Sequence, residues 1–187
     1  MSWLLEPIQA NTYWTWTENV FTNEELDKIV EQCKTLNLVN ANIGDEFRRS
    51  NISWVPTDNA DFAWIYQRLA ASIKNINDSY FHFDLTHIQP LQFTQYHGTE
   101  NGNYHPHMDI GIEAPTRKLS FSLQLSDPTE HEGGQLVFHH LRTQAEAAPR
   151  ARGKIIFFPS FVVHEVTPVT SGTRYSLVGW VAGPPFK

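Results

Sequence analysis

A period-two alternation of apolar and polar residues marks the second half of the chain. It is clearest in KLSFSLQLS, where Leu119, Phe121, Leu123 and Leu125 alternate with serines and a glutamine. Successive side chains of a β-strand point to opposite sides of its sheet. The segment is therefore predicted to be a strand with one apolar and one polar face.

Short runs of similar character follow one another from about residue 85 to residue 183. Gly, Pro, Asp or Ser residues separate them, and β-branched and aromatic residues are common within them. The runs are LTHIQPLQFTQYH, KLSFSLQLS, GQLVFHH, KIIFFPS, FVVHEVTPV and TRYSLVGWV. Many short strands separated by turn residues are typical of an antiparallel sandwich or barrel.

The chain before residue 77 is predicted to supply helical support, over about residues 20–76. TNEELDKIVEQCKTLN opens with Thr22 and Glu25 in the spacing of a capping box, and a second helix is predicted over 58–74 with Asp58 as its N-cap. Both carry an apolar stripe, formed by Leu26, Ile29, Val30, Cys33 and Leu36 and by Phe62, Ile65, Tyr66, Leu69 and Ile73. Between the helices, RRSNISWVP predicts a short strand that stops at Pro56. The fold class expected is mainly β with N-terminal helices (α+β), in one domain over 1–187.

Composition narrows the class of protein. Of 187 residues, 41% are hydrophobic and 18% are charged, which favours a globular fold over disorder. The net charge of −6 comes without a run of Lys or Arg, so no nucleic-acid partner is expected. One cysteine, Cys33, excludes an internal disulfide, and no targeting segment or membrane span is evident in the sequence. We therefore expect a soluble cytoplasmic protein with no membrane partner.

A cluster of potential metal ligands occurs in NYHPHMDIG. His107 and Asp109 are two residues apart, so on a strand they point to the same side. His105 shares that side only if the chain remains extended through Pro106. A third ligand must come from elsewhere, and spacing alone does not choose among the remaining histidines, which are His82, His87, His97, His131, His139, His140 and His164.

The last predicted strand carries a potential anion site. In TRYSLVGWV, Arg174 and Ser176 share a face with Val178 and Trp180, and His164 lies ten residues before the arginine. A guanidinium beside a hydroxyl suits recognition of a carboxylate. Two imidazoles and one carboxylate on an octahedral Fe(II) leave positions for a chelating cosubstrate and dioxygen.

Three segments together resemble a known family. YHGTENGNYHPHMD, LSFSLQLSDPTEHEGGQLVF and GKIIFFPSFVVHEVTPVTSGTRYSLVGWV are similar to successive core motifs of the 2-oxoglutarate- and Fe(II)-dependent dioxygenases, most of all the prolyl 4-hydroxylase-like group that includes the PKHD-type hydroxylases. The likeness covers about residues 93–183. FTNEELDKI and the RRS at 48–50 fit the group more loosely. The resemblance implies a double-stranded β-helix, a cupin-like jelly-roll.

The resemblance also implies roles for individual residues. It makes His107, Asp109 and His164 the iron ligands. It makes Arg174 the partner of the distal carboxylate of 2-oxoglutarate, with Ser176 as a second contact. Collagen-type prolyl hydroxylases usually have lysine at this position, so the arginine favours the PKHD-type and oxygen-sensing branches.

Further residues around the cosubstrate follow from the same motifs. Tyr96 and Tyr104 match the two tyrosines that precede the His-x-Asp motif, of which the first commonly lines the cosubstrate pocket. Gly133 and Gly134 are expected to form a turn before an inner strand. Gln124 stands where some relatives have a tyrosine that contacts 2-oxoglutarate.

The activity implied is hydroxylation of an unactivated C–H bond with release of succinate and CO2. Fe(II), 2-oxoglutarate and O2 are the expected cofactors and cosubstrates, with ascorbate as a further reductant. The leading substrate is a prolyl residue in a peptide or protein. A free amino acid or another small metabolite is the alternative, and a non-catalytic cupin-like metal-binding module is an alternative of another class, against which the Arg174–Ser176 pair argues.

Two interpretations remain open for several residues. His139 and His140 are adjacent, so at most one points inward; they are read as non-ligands, one of them near the substrate mouth. Arg48 and Arg49 either meet an acidic or carbonyl-rich substrate or are solvated charges. The aromatic residues Trp3, Tyr13, Trp14 and Trp16 either form a peptide-binding platform or, as we favour, pack against the fold.

Overall fold

The computed structural model describes residues 13–44, 46–140 and 144–185. The helices are α1 (Asn23–Lys34) and α2 (Ala60–Ile76). The strands are β1 (Thr15–Thr17), β2 (Val39–Asn40), β3 (Arg48–Arg49), β4 (Asn51–Val55), β5 (His87–Ile88), β6 (Leu91–His97), β7 (Asn103–His107), β8 (Arg117–Gln124), β9 (His131–Gly133), β10 (Leu136–Phe138), β11 (Glu146–Ala147), β12 (Ile155–Pro159), β13 (His164–Val166) and β14 (Val169–Ala182). A π-helical turn, Asn77–Phe81, extends α2, and a 3-10 turn, Gly98–Glu100, follows β6.

Within these described ranges the strands form two antiparallel sheets. The larger has the order β1-β12-β8-β14-β6-β4-β2, with β5 and β9 also pairing with β14. The smaller has the order β11-β10-β13-β7-β3. The prediction of a mainly β fold with N-terminal helices is confirmed.

The helix ends are set by side-chain caps. At α1 the capping box is present: the Glu25 amide donates to Thr22 Oγ1 (3.2 Å), and the Glu25 carboxylate accepts from the Thr22 amide (2.9 Å). At α2 the prediction of Asp58 is wrong by one residue. The N-cap is Asn59, whose Oδ1 accepts from the Asp61 amide at 2.9 Å. An N-cap side chain must reach a free amide of the first helical turn, and a polar residue on either side of the boundary looks alike in sequence.

Several predicted strands are shorter than their sequence runs. LTHIQPLQFTQYH is divided into β5 and β6 around Pro90, which has no amide hydrogen for a ladder. RRSNISWVP is divided into β3 and β4. FVVHEVTPV becomes a strand only at His164, because the Val162 amide donates to Pro159 O (2.9 Å) in a turn.

The two helices pack on one face of the larger sheet and form the main apolar core. Phe93, Phe121, Leu123, Leu177 and other buried residues of the sheet meet the stripes of α1 and α2 there. Cys33 lies within this cluster, and its burial raises the pKa of the thiol to about 12. The cysteine therefore acts as a small apolar residue, as its place on the predicted stripe suggested.

The opposite face of the larger sheet is polar and also buried. Ser120, Ser122 and Gln124 of β8 lie there at exposed fractions of 6% or less. An apolar cluster closes one part of the space between the sheets, formed by Leu136, Phe138, Ala148, Ile156, Phe158 and Val162. Neither helix of the described ranges is both long and apolar enough to cross a membrane.

Candidate active site

A cavity of about 200 Å³ lies between the two sheets. Both sheets contribute to its wall, so the site depends on their packing rather than on one loop. The lining residues are Arg48, Trp54, Gln92, Thr94, Tyr96, Tyr104, His107, Met108, Asp109, Arg117, Ser122, Leu136, Phe158, His164, Val166, Arg174, Ser176, Val178 and Trp180.

Two histidines of the smaller sheet and an aspartate just after β7 converge on this cavity. His107 ends β7 and His164 begins β13, and the two are cross-strand partners. His107 Nε2 lies 3.9 Å from Asp109 Oδ1, and His164 Nε2 lies 3.6 Å from Asp109 Oδ2. One ligand atom from each falls within 4.8 Å of the others, and no second such group of three or more occurs in the described part of the chain.

Hydrogen bonds orient both imidazoles. His107 Nδ1 lies 2.7 Å from the carbonyl of His105, and His164 Nδ1 lies 3.0 Å from that of Val162. Because a carbonyl can only accept, Nδ1 carries the proton in each ring and the lone pair resides on Nε2. Both lone pairs are thereby presented on the nitrogens nearest Asp109.

The carboxylate is prepared for a cation. The Asp109 amide donates to Ser160 O (2.9 Å), which fixes the backbone, while Oδ2 is buried without a hydrogen-bond partner. Burial, with the neighbouring His164 as a lesser cause, lowers the pKa of His107 to about 4, so its ring is neutral near pH 7. A buried, unpaired carboxylate oxygen beside two oriented imidazole nitrogens fits a divalent metal such as Fe(II).

A β-bulge separates His105 from this group. β13 advances by two residues between His164 and Val166, whereas their partners His107 and Tyr104 on β7 are three residues apart. The extra residue reverses the alternation. His105 consequently points outward, exposed and stacked near Phe47 (6.0 Å between ring centroids), and only its carbonyl serves the site.

Arg174 occupies the wall formed by the larger sheet. Its side chain donates to Ser176 Oγ (3.2 Å) and to Gln124 Oε1 (3.0 Å), and its guanidinium lies 5.5 Å from the centroid of Tyr96. Arg174 is 2% exposed, and burial lowers its pKa. Gly134, at φ +64°, packs so closely that an added Cβ would lie 2.8 Å from Arg174 Cδ.

The two tyrosines of the predicted site lie on opposite walls. Tyr96 is the cross-strand partner of Arg174, and Tyr104 stacks on His107 with ring centroids 3.5 Å apart. Burial raises the pKa of both hydroxyls, so both are protonated at neutral pH. Gln124 contacts the cavity only through Arg174. Gly133 ends β9 and Gly134 follows it before β10, and both have positive φ.

Two further arginines line the cavity. Arg48 is only 8% exposed, so the interpretation of this residue as a solvated charge is wrong. Arg49 is half-buried, and its Nη2 lies 3.8 Å from Glu46 Oε1. Sequence reasoning missed Arg117 entirely. Its guanidinium lies 3.9 Å from the Trp180 ring centroid, and it donates to the carbonyl of Asp109 at 3.4 Å.

Other aromatic and histidine residues lie away from the cavity. His139 Nε2 is 3.1 Å from Glu165 Oε1, and His140 packs edge-on against Tyr13. Trp14 stacks on Phe138 with ring centroids 5.4 Å apart, and Lys154 Nζ lies 3.2 Å from the ring centroid of Trp16. The described N-terminal aromatic residues thus pack on the fold, and Trp3 lies outside the described residues.

Comparison with known sequences identifies related proteins. A family model described as the 2OG-Fe(II) oxygenase superfamily matches residues 91–182. A PKHD-type hydroxylase of Prochlorococcus marinus is 39% identical over 84 residues, which are 44% of this chain and 38% of that protein. One of Synechococcus is 46% identical over 65 residues, 35% of this chain and 29% of that protein. The chain thus spans well under half the length of these curated relatives.

Solved structures share the fold. A prolyl 4-hydroxylase of Pseudomonas putida superimposes with a TM-score of 0.77 at 20% identity, over 92% of this chain and 93% of that one. A prolyl hydroxylase of Trichoplax adhaerens, in complex with a hypoxia-inducible factor peptide fragment, superimposes with a TM-score of 0.75 at 16% identity. The superposition covers 91% of this chain and 83% of that one. The predicted double-stranded β-helix is confirmed by this likeness and by the two facing sheets.

Proposed function

The chain belongs to the 2OG-Fe(II) oxygenase superfamily, and from that premise we propose that it is a dioxygenase that hydroxylates a C–H bond of its substrate. The observation that carries the proposal is the convergence of His107, Asp109 and His164 beside a buried arginine in one cavity. A metal-binding module would need the three ligands alone. The buried arginine, which lacks a carboxylate partner among the described residues, adds a place for an anionic cosubstrate.

In this proposal His107, Asp109 and His164 hold Fe(II). The bound iron and 2-oxoglutarate supply the oxidising chemistry, in which one atom of O2 goes to the substrate and the other to succinate as CO2 is released. Asp109 contributes the negative charge that its unpartnered Oδ2 leaves uncompensated. The backbone carbonyls of His105 and Val162 keep both imidazole lone pairs on Nε2.

Arg174 binds the distal carboxylate of 2-oxoglutarate. Ser176 and Gln124 accept from its Nη1 and Nη2 and so fix the plane of the guanidinium before the cosubstrate arrives. Tyr96 lies beside the guanidinium and lines the cavity on the side of the larger sheet, where the cosubstrate would bind. Val166, Phe158 and other apolar lining residues reduce access of water to the reacting atoms.

A prolyl residue of a peptide or protein is the proposed substrate. The support is the likeness to a prolyl 4-hydroxylase and to a prolyl hydroxylase complexed with a peptide fragment. Trp54 and Met108 line the cavity and are 46% and 54% exposed, so an apolar ring could rest on them at its mouth.

A free amino acid or another small metabolite is the second candidate. The observation that favours it is the small cavity of about 200 Å³, to which Arg48, Arg117 and Arg174 all contribute. An anionic small molecule would match that charge, whereas an internal peptide segment would not.

The proposal is tested by anaerobic titration of the protein with Fe(II) and 2-oxoglutarate. Wild-type protein should develop a weak visible charge-transfer band, and His107→Ala should abolish it. His139→Ala is the matched control, because that histidine pairs with Glu165 outside the cavity. A wild-type protein without the band would refute the assignment. In air, succinate yield with and without ascorbate would test whether ascorbate is a further reductant.

A further inference from the structure

Arg48 has surroundings that match those of Arg174. Its Nε donates to Ser50 Oγ (2.8 Å), its Nη2 donates to Gln92 Oε1 (2.7 Å), and its guanidinium lies 4.6 Å from the centroid of Tyr104. A serine two residues further along the chain, a glutamine amide oxygen and a tyrosine ring also surround Arg174. The cavity is thus lined by two arrangements of the same kind. That of Arg174 lies within the larger sheet, whereas that of Arg48 joins the smaller sheet to Gln92 of the larger one.

Neither arrangement neutralises its arginine. Arg48 is 8% exposed and Arg174 is 2% exposed, and neither forms an ion pair with a carboxylate of the described residues. Hydroxyl and amide oxygens orient a guanidinium but do not cancel its charge. A buried cation is normally paired, because its transfer from water is costly. Both arginines line the cavity, where an anion can supply the missing charge.

Arg48 lies close to the metal ligands. On the smaller sheet it is the cross-strand partner of Tyr104, and Tyr104 stacks on His107 with 3.5 Å between ring centroids. The residue is therefore separated from a metal ligand by a single aromatic ring. Arg174 projects from β14 in the larger sheet, so the two cations approach the cavity from different sides.

The cosubstrate accounts for only one of them. 2-Oxoglutarate has two carboxylates: Arg174 would hold the distal one, and the other would belong to the end of the molecule that chelates the metal. The charge of Arg48 is left for a different molecule. An internal peptide segment would offer it neutral carbonyl oxygens, whereas a carboxylate matches its charge and its planar fork.

We propose that Arg48 binds a carboxylate of the substrate. The substrate is then a carboxylic acid whose reacting C–H bond lies near the acid group, as in a free amino acid or the C-terminal residue of a peptide. Arg117, a further cation of the same cavity, favours an anion there. The inference rests on the proposed function, since that function assigns Arg174 to 2-oxoglutarate.

Paired probes that differ in one carboxylate test the proposal. L-Proline is compared with L-prolinamide, and glycyl-L-proline with glycyl-L-prolinamide, on protein loaded with Mn(II) and 2-oxoglutarate. Tryptophan fluorescence is a suitable readout because Trp54 and Trp180 line the cavity. We expect the acid of at least one pair to bind about 10-fold to 100-fold more tightly than its amide, as is usual for a charged hydrogen bond. The pair that responds distinguishes a free amino acid from a chain terminus.

Matched variants assign the effect to one residue. Arg48→Gln should remove the preference for the acid and leave 2-oxoglutarate affinity within about 2-fold. Arg174→Gln should weaken 2-oxoglutarate binding and keep the preference for the acid. The probes are added to this variant at a 2-oxoglutarate concentration that saturates it. Arg48→Lys should keep part of the preference, because it retains the charge without the fork. Arg49→Gln, on the adjacent position of β3, should change neither affinity.

Three results would overturn the inference. The first is equal binding of acid and amide in both pairs, or no binding of either acid. The second is a preference for the acid that survives in folded Arg48→Gln protein. The third is a loss of 2-oxoglutarate affinity in Arg48→Gln rather than in Arg174→Gln. Failure of the proposed function is separately visible. Iron-loaded wild-type protein that makes no succinate from 2-oxoglutarate refutes that function, whereas succinate formation without a preference for acids refutes only the role of Arg48.

Discussion

The two faces of the larger sheet are both buried, but by different means. On β8, Leu119, Phe121 and Leu123 pack against the helices, whereas Ser120 and Ser122 face the smaller sheet. The first face is a continuous apolar core. The second is held by hydrogen bonds such as that between Ser120 Oγ and Ser160 Oγ (2.9 Å). One strand thus carries stability on one side and a binding site on the other, and the two properties should separate under mutation.

The largest effect is expected on the apolar face. Phe121 is fully buried, and its ring centroid lies 5.8 Å from that of Phe157. Phe121→Ala would leave a cavity in this core, so it should lower the free energy of unfolding by about 3 to 5 kcal/mol. Urea denaturation measures the change. Ser120→Ala, one residue away on the opposite face, should cost far less. Equal losses would contradict the division between the faces.

A change at the polar face should affect binding rather than folding. Arg174→Met removes a buried cation, so the free energy of unfolding should stay within about 1 kcal/mol of wild type. Affinity for 2-oxoglutarate should fall by about 100-fold, because a buried charge pair loses one partner. Thermal unfolding and titration of the metal-loaded protein measure the two quantities. A variant that unfolds readily would show that the polar face also carries stability.

A smaller effect is expected where the backbone touches the polar face. Gly134 has φ +64°, and an added Cβ would lie 2.8 Å from Arg174 Cδ and from Val169 Cγ2. Gly134→Ala should therefore cost about 1 to 2 kcal/mol of unfolding free energy and weaken 2-oxoglutarate binding by displacing the arginine. Gly111→Ala is the matched control, since nothing lies near its added Cβ. Indistinguishable binding by the two variants would contradict this account.

The last effect is a pH dependence that only the polar side should show. Burial, with Arg150 and Arg174 adding repulsion, lowers the pKa of His131 to about 4. An unfolded histidine titrates near 6.5, so the unfolded chain takes up the proton first and stability falls as pH drops from about 6.5 to 4. His107, with its pKa of about 4, adds to this loss in the metal-free protein.

His131→Asn should flatten part of this decline. Urea denaturation of metal-free protein at several pH values between about 4 and 7 provides the test. Above about pH 6.5 the histidine is neutral in both states, so the pH dependence of variant and wild type should be parallel there. The same slope in both proteins below pH 6 would rule out the assignment to His131.

The strands and the ligand set were accessible from sequence because each depends on local pattern. The alternation in β8 and the order of the three family-like segments gave the fold class and singled out His107, Asp109 and His164, which the structure brings together. The alternation did not reveal that the polar face is buried, because a polar face on a strand usually meets water.

Other features depended on distant partners or on one extra residue. Arg48 belongs to a two-residue strand, and its burial is created by Gln92 and Tyr104 from elsewhere in the chain. The sequence left the side of His105 conditional on an extended chain through Pro106, and it is the bulge that turns this histidine away from His107. Arg117 begins β8 and gave no local sign that it would turn toward Asp109.

The bulge in β7 has a consequence for how such sites are recognised in other chains. The pairing of Arg48 with Tyr104 and that of His164 with His107 lie on either side of it, and the extra residue is absorbed between them. The number of residues from tyrosine to histidine is therefore not fixed by either pairing. A search pattern that demands one constant spacing there would overlook chains with the same three-dimensional site, whereas one that allows a single-residue insertion would retain them.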